Sequence, residues 1–184
     1  MPIPAPHTPV PLPILGLPAH SARRGDRPSY RVLLSWSRRH HAFQESYIPY
    51  AWSALYLIAG NDTIPTVHTS TQAVASWRLR KGDPVAVTRR LKNHTGIQLI
   101  EDIVTHVLPN MRPHRGVSIS GADNNGNFTF PIAQPRVFPA LHSHYDDYRS
   151  LCSKPGLSVT IQTNQPTRFD TLTLMKYLGL PLIN

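Results

Sequence analysis

The chain has 184 residues, 40% of them apolar, enough for one domain with a modest core. Nineteen Lys and Arg against ten Asp and Glu give a net charge of +9, an excess that suits a polyanion because each neutralised phosphate releases counterions. No apolar run is long enough to span a bilayer and no basic amphipathic helix offers a membrane-surface alternative, while the single Cys152 excludes an internal disulfide and a cysteine-based zinc site.

The first twenty residues carry seven prolines and no charged side chain. Proline at that density works against helix and sheet and favours extended polyproline geometry. The stretch lacks the charged start and unbroken apolar run of a secretory signal, and the "SARRGDR" that follows supplies the charge of an organellar address. Residues 1–29 are therefore read as an extended tail, and residues 30–184 as one folded domain.

In chain order, "YRVLLSW" from Tyr30 predicts a short buried strand. A helix is expected from Pro49, a good first-turn residue, to Gly60, a natural stop. "TIPTVHTS" and "DPVAVTRRL" read as two strands around the linker "TQAVASWRLRKG". Next comes the clearest helix. Thr95 and Gln98 are spaced as a capping box, Ile97, Ile100, Ile103, Val104, Val107 and Leu108 form a broad apolar face, and Pro109 marks the end. "NFTFPI" and "LSVTIQT" read as strands, and a last helix is expected from Thr167 to Gly179 with Phe169, Leu172 and Leu178 inward. No glycine-rich nucleotide fingerprint stands at a strand-to-helix turn. The fold class that follows is α+β, with helices packed on a mostly antiparallel sheet.

Catalytic and metal chemistry find little support. A calcium loop started at Asp123 would need glycine sixth and a carboxylate twelfth, where Phe128 and Gln134 stand. "HSHYDD", with His142 and His144, imitates part of a binuclear zinc site, but no histidine follows to complete the ligand set, so it reads as a solvated loop. No nucleophile elbow and no obvious acid/base carboxylate pair occur. The chain is expected to be no enzyme and to need no cofactor.

The basic residues are the better signal. Between Thr63 and Ile100, Arg78, Arg80, Lys81, Arg89, Arg90 and Lys92 face the lone acid Asp83. If "WRLR" is extended, Arg78 and Arg80 share a face opposite Trp77 and Leu79. Arginine grips phosphate with a planar fork, so these six are candidate RNA contacts. The small polar run His68, Thr69, Ser70, Thr71 and Gln72 suits sugar and phosphate contacts at a loop tip. His114 beside Arg112 and Arg115 forms a further basic patch. An RNA-binding or protein-docking module standing alone would also account for this pattern.

The order of segments adds a resemblance. "AVASWRLRKGDPVAVTRRL" resembles S-I-A-S-F-K-L-R-E-G-x-P-I-G-x-x-V-T-L of the universal large-subunit ribosomal protein L-five family. "NGNFTFPIAQPRVFPA" resembles its G-N-Y-x-x-G-I-x-E-Q-x-x-F-P-E, "KPGLSVTIQT" its R-G-M-D-I-T-I-V-T, and "LMKYLGLPL" its closing L-L-x-x-L-G-M-P-F. Each is weak alone, but the four stand in register from about Tyr30 to Leu182. The resemblance implies a structural constituent in the central protuberance of the large ribosomal subunit, bound to ribosomal RNA and neighbouring subunit proteins. It implies that His68 to Ala75 approach the peptidyl-site tRNA. It also implies that Arg112 to Asn127, with Asn124 and Asn125 at the turn, meet a small-subunit head protein.

The departures point to an organelle. A proline-rich tail replaces the family's basic first helix, Thr71 and Gln72 replace lysines beside the tRNA-facing loop, and Asn124-Asn125 replaces an arginine-glycine turn. Pro135 stands where a glutamate is expected. Drift of this kind suits a ribosome whose RNA has shrunk, and a mitochondrial location is the expectation.

Overall fold

A computed structural model describes residues 31–37, 48–60, 64–77, 79–111, 116–132, 135–142, 144 and 156–183. The tail expectation, Arg78, Arg112, His114, Arg115 and Cys152 lie outside the described residues. Strand β1 is Arg31–Ser37 and helix α1 is Ile48–Ala59. Strand β2, Thr66–Thr69, is followed by a single 3-10 turn, Ala75–Trp77, and by β3, Pro84–Lys92. Helix α2, Asn93–Asp102, runs through a π-helical turn, Ile103–Val107, into a last turn, Leu108–Asn110. Strand β4, Val117–Ser118, precedes β5, Asn127–Ile132, and a short helix α3, Pro139–His142. Strand β6, Leu157–Gln162, helix α4, Arg168–Tyr177, and β7, Leu182–Ile183, complete the described chain.

Five strands form one sheet in the order β2-β3-β1-β6-β5, with every neighbouring pair antiparallel. Beside it, β4 and β7 make a small parallel pair. Side chains alternate across a strand, so each sheet face collects every second residue. Val32, Leu34 and Trp36 of β1 share one face with Val87 and Leu91 of β3. Phe128, Phe130 and Ile132 of β5 and Leu157, Val159 and Ile161 of β6 extend that face, and all are buried. Against them pack Ala51, Ala54 and Leu55 of α1, Leu99, Ile100, Ile103 and Val107 of α2, and Leu174 and Met175 of α4. The architecture is α+β, with helices on an antiparallel sheet.

Several local expectations change. The capping box at Thr95 and Gln98 does not start α2. The helix begins at Asn93, directly on the end of β3, and its N-cap is Lys92 with no side-chain cap hydrogen bond. The helix also passes Pro109. The preceding turn is widened to π, where Leu108 N–H reaches the Ile103 carbonyl, and Pro109 could not have supplied a ladder N–H. Helix α4 starts near Thr167 as expected, and Thr167 is its N-cap, accepting from Asp170 N–H at 3.1 Å. Phe169, however, points outward and is 76% exposed, because Thr171, Leu174 and Met175 occupy the inward stripe. The segment around Arg80 is not a strand, since only a single bridge joins Val74 to Leu79 after the 3-10 turn.

The largest correction concerns Arg89, which is 1% exposed. It points from β3 into the helix layer and holds the C-terminal turn of α1. Its Nη1 donates to the carbonyls of Leu55 and Tyr56, both at 3.0 Å, and Nη2 donates to the Gly60 carbonyl. Helix ends leave carbonyls without partners and carry partial negative charge, so a cation there is well placed. Gly60, at φ 71°, turns the chain out of the helix and aims its carbonyl at the same guanidinium. The Tyr56 ring lies beneath the charge, 5.5 Å from centroid to Cζ, and stacks on Trp52 at 5.7 Å. Trp52 in turn donates to the Pro65 carbonyl at 3.0 Å, just before β2. Arg89 is thus a fastening between sheet, helix and hairpin, and is closed to an RNA phosphate.

Replacing it should show in stability. Arg89→Met is expected to lower folding stability by about 2–4 kcal/mol, because several carbonyls lose a charged donor. For a chain of this size that corresponds to a fall in Tm of roughly 4–16 °C, measurable by calorimetry.

Candidate nucleic-acid interface

The face of the sheet opposite the helices is built by the other half of each strand's alternation. From β3 it receives Ala86, Thr88, Arg90 and Lys92, and from β1 Arg31, Leu33 and Ser35. Strand β6 contributes Ser158, Thr160 and Gln162, and β5 contributes Asn127, Thr129 and Pro131. At the β2 edge stand Thr66 and His68, the latter bonded through Nε2 to Thr88 Oγ1 at 2.7 Å. Thr129 and Thr160 share a hydroxyl hydrogen bond at 2.9 Å across β5 and β6. Hydroxyl and amide groups dominate this surface, and among the described residues its one aromatic ring is the His68 imidazole at the β2 edge.

Three cations cluster at one corner. Arg31 pairs directly with Lys92 across β1 and β3, which sets their Cα atoms about 5 Å apart. Arg90 lies two residues along the same face, about 7 Å from Lys92. All three are exposed. Like charges directly opposite one another destabilise a sheet, and a neutral pair would serve folding better. The described acids stand on other elements. Among the described residues, Asp83 closes a loop, Glu101 and Asp102 lie on α2, Asp123 lies in a turn and Asp170 caps α4. A positive, hydrogen-bonding face of this kind, with no acid among its described residues, can hold a polyanion by charge and grip its sugars by hydroxyl and amide contacts.

The β2–β3 connection projects from one edge of the sheet. Its base is closed by Ser70 N–H to the Asp83 carbonyl at 2.8 Å and Gly82 N–H to the Ser70 carbonyl at 2.9 Å. Asp83 accepts from Arg80 N–H at 2.7 Å, so the carboxylate of this loop is committed to its own backbone. Arg80, Lys81, Thr71 and Gln72 are exposed around this loop, with His68 and Thr69 on the adjoining strand, while Ser70 is half-buried. Arg80 and Lys81 therefore form a second basic group, separate from the trio on the open face.

Asn124 and Asn125 are exposed at a turn shaped by Asp123. The Asp123 carboxylate accepts from the Asn125 and Asn127 N–H groups at 2.9 and 2.8 Å and from Asn127 Nδ2 at 2.7 Å. Gly126, at φ 80°, presses against the exit of β6. A Cβ there would stand 2.6 Å from the Gln165 carbonyl oxygen, and the Gly126 carbonyl accepts from Thr163 N–H at 3.0 Å. The aspartate is a turn former, which leaves nothing for a calcium loop. His142 and His144 are exposed, and no group of three potential metal ligands gathers among the described residues. No described helix is long and apolar enough to cross a membrane.

Of the six cations nominated on the basic window, Arg90 and Lys92 share one surface and Arg80 and Lys81 share another. Arg89 is structural, Arg78 lies outside the described residues, and Arg31, which stands before the basic window, shares the surface of Arg90 and Lys92. Its signal was the parity of "RVLLSW", where Arg31, Leu33 and Ser35 alternate with Val32, Leu34 and Trp36. Leu33 on the open face disguised the alternation as a strand buried on both sides.

Fold and face together define an α+β protein with one helix-covered and one basic sheet face. The sequence model of the C-terminus of the ribosomal L-five family matches residues 84–182, and the chain belongs to that family. It is 31% identical over 129 residues to the large ribosomal subunit protein uL5 of Malacoplasma penetrans, covering 70% of this chain and 65% of that protein. It is also 31% identical over 128 residues to the large ribosomal subunit protein uL5c of Emiliania huxleyi, covering 70% and 66%. The uL5 of Geotalea daltonii is 27% identical over 134 residues, covering 73% and 71%. The chain thus spans just under two thirds of the length of the first two relatives.

The turn geometry gives a pH prediction. The Asn127 side-chain hydrogen bond, helped by the Asn127 and Asn125 backbone N–H groups, holds the Asp123 carboxyl below its ordinary range against the opposing effect of burial. A carboxylate lowered in the folded state contributes stability that is present above its unfolded value and lost as pH falls through the folded one. Protection of the Asn127 amide from hydrogen exchange should therefore decline below about pH 4. Asp123→Ala should abolish that pH dependence.

Proposed function

We propose that this chain is a structural, non-catalytic constituent of a large ribosomal subunit that binds ribosomal RNA through the open face of its sheet. The observation that carries the reading is the Arg31, Arg90 and Lys92 cluster. Two of the three cations oppose each other across a strand pair, on a face with no acid among its described residues, an arrangement that costs strand pairing. Membership of the ribosomal family and relatives named as large-subunit proteins support it. Neighbouring subunit proteins are the expected partners of the remaining surface.

Finer assignments rest on the family resemblance. The β2–β3 tip with Thr71 and Gln72 is proposed to stand near the peptidyl-site tRNA, and Asn124 and Asn125 near a small-subunit head protein across the interface, with Arg112, His114 and Arg115 beside them. The position within the subunit is proposed to be the central protuberance, and the compartment a mitochondrion.

The test is sedimentation of tagged chain with ribosomal particles. The unaltered chain should co-migrate with the large subunit, and its absence from that peak would end the reading. An Arg90→Glu, Lys92→Glu double variant should keep its Tm within about 1–2 °C, since both sites are exposed. Its occupancy in the subunit should fall several-fold.

A further inference from the structure

Helix α4 carries a second surface, on the helix side of the sheet and away from the open face. Thr171, Leu174 and Met175 turn inward, so the helical period fixes which residues form its outer ridge. Phe169, Thr173 and Tyr177 follow one another there at four-residue steps, and Lys176 lies in line with Phe169, seven residues on. Phe169 is 76% exposed and Tyr177 66%. Each ring follows a cation, Arg168 before Phe169 and Lys176 before Tyr177, and both cations are exposed. Arg168 is held to the surface by Nη2, which donates to the Ile119 carbonyl at 3.1 Å, and its guanidinium retains further N–H donors. The acid of this helix, Asp170, is taken up by the cap, accepting from the Thr167 hydroxyl at 2.6 Å. Thr173 turns its hydroxyl back to the Phe169 carbonyl at 3.0 Å, which leaves a short side chain between the two rings.

We infer that this ridge binds unpaired RNA, with Phe169 and Tyr177 each stacking on a base and Arg168 and Lys176 meeting the phosphates beside them. The ribosomal setting proposed above supplies the RNA, but the site is independent of the open face. An aromatic ring stacks on any base that has left a duplex, and neighbouring cations follow the strand's backbone. The rings stand eight residues apart, about 12 Å along the axis. Two rings closing on one base would stand about 7 Å apart, two stacking steps of about 3.4 Å each. Phe169 and Tyr177 therefore reach different bases of one strand. Bases within a duplex already have both faces covered, so a double helix offers this ridge phosphate alone. A protein partner would call for a continuous apolar patch, whereas Thr173 and Lys176 interrupt this one.

Full-length chain carrying Arg90→Glu and Lys92→Glu, which keep the open face from contributing, is titrated with a short labelled oligoadenylate and with a short RNA duplex. The single strand should bind at least about fivefold tighter than the duplex. Adding Phe169→Leu and Tyr177→Leu removes both rings at exposed positions, so Tm should hold within about 1–2 °C. Those two changes should weaken the oligoadenylate by about tenfold or more and leave duplex binding unaltered. Lys176→Gln should reduce the slope of log affinity against log salt for the single strand by about 0.7. Unchanged oligoadenylate affinity in the leucine variant, or an equal loss on strand and duplex, would overturn the inference. So would a leucine variant that keeps its RNA affinity yet loses its place in the large subunit, since the ridge would then belong to a protein partner.

Discussion

The buried guanidinium of Arg89 is the contact on which the disposition of the basic face depends. It joins the middle of the sheet to the C-terminal turn of α1 and, through Tyr56 and Trp52, to the chain entering β2. A buried charge is tolerated only where its donors are met, and here helix carbonyls, the negative end of the helix dipole and an aromatic face meet them. Since β2 and β3 lie at one side of the sheet, this fastening also sets where their connecting loop leaves the body of the protein.

One residue further along, the same strand does the opposite. Arg90 and Lys92 face outward beside Arg31, with Arg31 and Lys92 directly opposed across the strand pair. Strand alternation alone separates the two roles, since neighbouring arginines of identical chemistry point to opposite faces. The inward one is held by helix carbonyls, and the outward one is exposed on the face proposed to meet RNA. Threonine, serine, asparagine and glutamine make up most of the rest of the open face, with Leu33, Ala86, Pro131 and His68 among them. The sequence thus carries two separate demands on β3, each legible in the burial of its residues.

Much of this could be read before the fold was known. The strands of "NFTFPI" and "LSVTIQT", the first helix ending at Gly60 and the last helix starting near Thr167 follow from local periodicity and end signals. What failed had physical causes. Thr95 and Gln98 satisfy the spacing of a capping box, yet β3 runs straight into α2, so the helix starts earlier on a backbone already directed by the sheet. Phe169 looked inward because it is aromatic, but the inward stripe of α4 is set by Thr171, Leu174 and Met175. Arg89 could not be told from Arg90 by composition. Only the register beside Val87 and Leu91 shows it to be inside, and no local signal predicts that its partners are the carbonyls of Leu55, Tyr56 and Gly60, far earlier in the chain. Arg31 escaped notice because Leu33 made its strand seem apolar throughout.

The central claim is that β3 assigns adjacent arginines to different work, one to the fold and one to RNA. The salt dependence of duplex RNA affinity, measured for the unaltered chain and for Arg90→Met with Tm recorded on the same samples, tests it most directly. Removing one phosphate contact should reduce the slope of log affinity against log salt by about 1 while Tm stays unchanged. An unchanged slope, or a loss of Tm comparable to that of an Arg89 variant, would contradict the account.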